Sequence, residues 1–160
     1  MPADPVVRQQ LLALLLGENA HMNFDNAVRD FPPERRNRRL PNLPYTPWHL
    51  LEHVRLSQWD ILDFIRNPHY VAPPFPGGYW PPQDETADQM RWDKTLQGFH
   101  ADLRALAALV EDPATDLYAD LPHAPGYNIL REILVVADHN AYHLGEFAFL
   151  GQVIDTWPAG

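Results

Sequence analysis

Prolines partition this chain more sharply than any other feature. Most of its 17 prolines fall in three stretches: DFPPERRNRRLPNLPY (residues 30–45), NPHYVAPPFPGGYWPPQDE (67–85) and EDPATDLYADLPHAPGY (111–127). Each proline removes a backbone donor, and its ring clashes with the carbonyl one helical turn back. No regular helix runs through such a stretch, so the remaining sequence is left as four separate segments.

All four segments carry helical periodicity. The first spans about Pro5 to Arg29, with Leu11, Leu12, Leu15, Leu16 and Ala20 as its apolar stripe. The second opens at Thr46, a good N-cap, followed by Pro47 at the first helical position. Leu50, Val54, Ile61 and Ile65 then recur until Pro68 stops the pattern. The third covers about Asp84 to Val110 and offers Met90, Leu96, Phe99, Leu103, Leu106 and Leu109 for packing. In the fourth, about Asn128 to Asp155, Ile129, Ile133, Val136, Asn140, His143, Phe147, Leu150 and Ile154 form the seam of a bundle helix. No convincing strand pattern and no internal repeat interrupts this reading. The expectation is one all-α domain over residues 1–160, a four-helix bundle with long crossover connections. Those connections exceed the usual bundle loop and can wall a pocket at one end. PPFPGGYWPP is expected either to be such a wall or to be a surface loop pinned on the core by Phe75, Tyr79 and Trp80.

Composition narrows the function classes. A chain of 160 residues can bury a core without covalent staples. The net charge of −9 argues against nucleic acid as a partner. One basic run, Arg35, Arg36, Arg38 and Arg39, reads either as a solvated loop or as an edge that recognises a carboxylate or phosphate. With no cysteine, disulfides, thiolate metal sites and a protein thiol nucleophile are excluded. No apolar run is long enough for a membrane span, and the N-terminal stretch lacks the marks of a secretory signal, so a cytoplasmic address is expected.

Eight histidines punctuate the chain, and two pairs have H-x-x-x-H spacing: His49/His53 and His139/His143. Residues four apart share one helical face, so both imidazoles of a pair can reach a single ion. His143 falls on the seam of the last segment with His139 beside it, so both point inward. Buried imidazoles need partners for both nitrogens. A metal supplies one and an outer carboxylate or carbonyl the other; alternatively, both rings are core histidines bonded to neighbouring helices. A third ligand must come from another helix. His53 is favoured for its depth along the second segment, whereas His49, near the helix start, suits a cap, a pocket mouth or an alternative ligand. His21 is a pocket candidate.

Glu132, His139 and Glu146 share a stripe at seven-residue spacing. Either glutamate could accept a hydrogen bond from a ligating histidine or carry a proton, or could simply be solvated or ion-paired. A di-iron centre fits poorly, because the Glu-x-x-His motif it needs is missing.

TPWHLLEHVRLSQWDILDF (46–64) and LREILVVADHNAYHLGEF (130–147) together resemble the DinB-like (DinB/YfiT) superfamily. NAHMNFDNAVRDFP (19–32) and the terminal DTWP (155–158) fit one of its subfamilies, so the resemblance covers nearly the whole chain. It implies a four-helix bundle with a long crossover, commonly dimeric, and a divalent metal such as zinc or nickel held by His53, His139 and His143. This chain departs from the family in carrying Glu146 where a glutamine often follows the glycine. Characterised relatives include S-transferases and an isomerase that use low-molecular-weight thiols such as bacillithiol or mycothiol. The resemblance therefore implies a metal-dependent enzyme acting on a small molecule, possible reactions being thiol transfer or hydrolysis. A non-catalytic metal- or ligand-binding protein, and a bundle whose dimer surface is its function, are the competing expectations.

Overall fold

The computed structural model describes residues 5–156; of the terminal motif, Trp157 and Pro158 lie outside the described residues. The described chain is mostly helical with one small sheet: α1 Pro5–Leu15, α2 Phe24–Val28, α3 Pro47–Arg66, α4 Gln89–Glu111, β1 Asp120–Leu121, β2 Ala124–Asn128 and α5 Ile129–Thr156. Helix α3 packs against both α4 and α5, and α1 also packs against both.

The first segment is not continuous. Gly17 takes a left-handed φ of 71°, and the amides of Gly17 and Glu18 bond back to Leu14 and Ala13. That pattern is a Schellman stop, which glycine adopts without a Cβ penalty. Asn23 then caps α2 by accepting from the Asn26 amide. His21 consequently lies in an exposed connection rather than in mid-helix. The buried Arg8 of α1 spans to the end of α4, donating to the carbonyls of Val110, Asp112 and Thr115. It thereby satisfies acceptors that a helix C-terminus leaves open.

Helix α3 starts where the sequence places it. The Thr46 side chain accepts from the His49 amide, and His49 Nδ1 accepts from the Thr46 amide in return. Helix α4 begins at Gln89, later than expected, because Asp88 is the residue that caps it. Met90 is correspondingly exposed and does not pack. The sheet corrects the expectation of no strands. β1 and β2 pair antiparallel through an irregular register, and β2 (APGYN) contains a proline and a glycine, so neither strand is long enough to show an alternating pattern.

Two hydrophobic clusters fill the interior. One gathers Trp48, Leu50, Leu51, Val54, Phe99, Leu144, Phe147 and Leu150. The other gathers Leu11, Leu15, Leu62, Ile65, Leu106, Val110, Ile133 and Val136. Along α3 and α5 a polar stretch separates them. There the buried Gln58 donates to the Phe99 carbonyl and accepts from Asn140, both at 2.8 Å, which satisfies groups that would be costly to bury unpaired. The histidines sit at this level. Among the described residues, no helix is long and apolar enough to cross a membrane.

Candidate metal centre

His53 from α3 meets His139 and His143 from α5. His53 Nε2 lies 3.2 Å from His143 Nε2 and 3.2 Å from His139 Nε2, and one ligand nitrogen from each of the three falls within 4.8 Å of the others. Helical geometry brings the α5 pair together, since a four-residue step keeps both rings on one face. The close packing of α3 on α5 delivers the third ring.

The outer nitrogens fix the tautomers. His53 Nδ1 is 2.7 Å from the Tyr79 carbonyl, an acceptor only, so this nitrogen carries the proton and Nε2 is bare. His143 Nδ1 is 2.9 Å from the Glu146 carboxyl. The Tyr45 hydroxyl donates to the other Glu146 oxygen, so an ionised Glu146 accepts on both sides. With protons held at Nδ1, the facing Nε2 atoms of His53 and His143 present lone pairs to each other and cannot hydrogen-bond. A shared cation relieves that repulsion. Three imidazole nitrogens at roughly 2.0–2.1 Å from a tetrahedral zinc lie about 3.3–3.4 Å apart, close to the two 3.2 Å spacings made by His53 Nε2. The three-histidine group could therefore hold a metal ion.

Electrostatics favours the neutral ligand form. Burial, followed by the neighbouring His53, holds His139 down to about 4, with Asn140 and Asp138 opposing. Burial, then His139 and His53, holds His143 to about 4. Burial also lowers His53, against the raising effect of the Tyr79 carbonyl. Burial raises the Glu146 carboxyl. At neutral pH the triad is thus uncharged and its lone pairs are available.

The remaining candidates fall elsewhere. His49 is buried, but both its nitrogens are engaged: Nδ1 by Thr46, and Nε2 at 3.1 Å from the Pro82 carbonyl. It caps α3 and braces the following loop instead of joining the triad. Glu132 is buried beside Asp60 and Tyr70, paired with Arg131 and separate from the three histidines. The arginine run divides. Arg36 is buried, bonded to Gln89 and stacked 4.4 Å over the Trp92 ring, whereas Arg39 is exposed and donates to the Gln83 carbonyl.

The aromatic loop has two roles that the sequence left open. Trp80 stacks on the His53 ring, with centroids 4.0 Å apart and planes within 2°, and Tyr45 stacks on Trp80 in turn. Phe75, by contrast, is exposed and pins nothing. Sequence reasoning missed Tyr45 and the Tyr79 carbonyl. Their only signal was position: Tyr45 closes the first proline-rich connection and Tyr79 lies within the second.

A helical protein with one buried and two half-buried histidines, all neutral, converging from two helices belongs to the class of candidate imidazole-ligated metal proteins. The family model of the DinB superfamily matches residues 16–147, and the chain belongs to that superfamily. No curated protein and no solved structure gives a significant match.

Proposed function

We propose that this chain is a divalent-metal-dependent enzyme of the DinB superfamily, with His53, His139 and His143 as metal ligands and a low-molecular-weight-thiol S-transfer as its reaction. The observation that carries this reading is the approach of His139 Nε2 and His143 Nε2 to within 3.2 Å of His53 Nε2, with His53 and His143 directing Nδ1 at acceptors. Helices α1, α3, α4 and α5 form the four members of a bundle with long crossovers in this reading. Zinc and nickel both suit an all-imidazole donor set.

When bound, the ion would stabilise a thiolate over a thiol at neutral pH, and so supply the nucleophile that a cysteine-free chain lacks. The chain's own groups have separate tasks. Tyr79 and Glu146 hold the His53 and His143 rings in the ligating tautomer. Trp80 covers one face of the His53 ring. Glu146 is engaged by both His143 and Tyr45, which suits a positioning role and leaves it poorly placed as the mobile base that hydrolysis would use. That observation favours thiol transfer over metal-assisted hydrolysis.

The purified protein should contain about one divalent ion per chain. His139→Ala and His143→Ala should each lose it, as read by elemental analysis. Unchanged metal content in both variants would overturn the assignment. Thiol-transfer assays with a panel of thiols and electrophiles then separate an enzyme from a binding protein, because a bound ion without turnover removes the catalytic reading. A homodimer is supported by the outward face of α5, where Leu134, Val135, Tyr142 and Phe149 are exposed together. A monomer mass in light scattering would remove it.

A further inference from the structure

We infer that the cleft behind Trp80 binds a planar aromatic group bearing an anionic substituent, as the part of the substrate that is not transferred to or attacked at the metal centre; this rests on the reading of the triad as a metal site. The cleft encloses about 590 Å³ and is lined chiefly by Pro44, Tyr45, Pro76, Trp80 and Pro82 over His49. That volume suits a small organic molecule.

Its chemistry is selective in what it withholds. Proline, tyrosine and tryptophan rings have few rotamers to lose, so the wall is preformed and a ligand pays little ordering entropy. His49, the polar residue beneath, has both nitrogens occupied by Thr46 and Pro82. The floor therefore rewards an apolar face and offers a hydrogen-bonding ligand nothing in exchange for its water. Aromatic rings gain further from stacking against Tyr45, which Trp80 backs from behind. At the rim, Arg39 donates to the carbonyl of the lining residue Gln83; His49 on the floor is lowered chiefly by burial, with the Arg39 charge adding to it and the Pro82 carbonyl and Glu85 opposing. The opposing charge nearby, Glu85, is paired with Arg91 at 2.9 Å. The rim field thus favours an anionic substituent.

The same wall touches the triad. Trp80 lies flat on His53, and Tyr45, stacked on Trp80, hydrogen-bonds the glutamate that orients His143. A ring seated in the cleft is one side chain, Trp80, removed from His53 and two, Tyr45 and Glu146, removed from His143, so the cleft adjoins the triad across this wall.

Calorimetric titration of the full chain with 2-naphthoate, 2-naphthylmethylamine and cyclohexanecarboxylate tests this, in metal-loaded and chelator-treated protein. Because the cleft contains no metal ligand, 2-naphthoate should bind both forms, and at least about ten-fold more tightly than the non-planar acid or the amine. Gly77 lines the cleft, and a Cβ there meets no atom within 4 Å. Gly77→Leu should therefore fill the space, keep the metal content of the parent and weaken 2-naphthoate binding by about ten-fold or more. Trp80→Leu should weaken it about three- to ten-fold, and Arg39→Gln should reduce the preference for the anion. Naphthoate affinity unchanged in both Gly77→Leu and Trp80→Leu would overturn the cleft assignment, as would equal affinity for the three probes. Absence of metal with naphthoate binding intact would overturn the triad reading alone.

Discussion

When chelator-treated protein is acidified, the histidines should be among the groups that unfold it. His139 and His143 are each held at about 4, against an ordinary value of 6.5. The folded rings remain neutral while the unfolded chain takes up protons from about pH 6.5 downward. Stability is therefore full above that pH, declines as the pH falls, and the loss is complete below about pH 4. A displacement of that size corresponds to roughly 3 kcal/mol for one ring at about 1.4 kcal/mol per pH unit. Both rings keep some contact with water and each carries part of the other's effect. Screening and coupling together bring the pair to about 3 kcal/mol in total.

Urea unfolding at about pH 7.5 and about pH 4.5, in the presence of chelator, measures the loss in the parent and in a His139→Gln/His143→Gln variant. The parent should lose about 2–3 kcal/mol more than the variant on acidification. Asp60 and Asp102 are raised by burial and act with the opposite sign, since their protonated forms are favoured in the fold. Both proteins share them, so the difference isolates the histidines. Equal acid losses in the two proteins would refute the argument that burial holds these rings neutral.

Two further outcomes follow from named contacts. Arg8→Met removes a buried guanidinium that donates to three carbonyls at 2.5, 2.9 and 2.6 Å and should lower unfolding free energy by about 3 kcal/mol; a shift of the urea midpoint equivalent to less than about 1 kcal/mol would contradict the capping role. Glu146→Leu should weaken metal affinity about 10- to 100-fold in competition with a chromophoric chelator, while Glu146→Gln, which keeps an oxygen to accept from His143 Nδ1, should lose much less. Indistinguishable affinities for the two variants would remove the positioning role.

Local chemistry made much of this protein legible in its sequence. The bounds of α3 and α5 follow from Thr46-Pro47, Pro68 and an unbroken seam, and these are interactions between residues within a turn or two of each other. The same four-residue arithmetic put His139 and His143 on one face. The break at Gly17 was also a local event, but the run of leucines leading up to it, continued in register by Ala20, masked it. The short sheet escaped because two and five residues are too few to establish a period, and the cap at Asp88 was obscured by the acidic residues Asp84 and Glu85 before it.

Contacts between residues far apart in the chain were beyond that arithmetic. His49 and His53 are equivalent by spacing; depth along the second segment favoured His53, and the packed structure shows what separates them. The α3 N-terminus and the Pro82 carbonyl use both nitrogens of His49, while one turn further on His53 is turned toward α5. Tautomers likewise depend on partners 26 residues away at Tyr79 for His53, and on how Tyr45 meets Glu146 across 101 residues. The sequence by itself determined a helical chain with an inward-facing histidine pair, because periodicity and proline sterics act locally. Tertiary structure alone decided how closely His53 meets the pair, where the His53 and His143 protons sit and that Trp80 covers one face of His53, because those outcomes depend on the packing of α3, α5 and the proline-rich loop against one another.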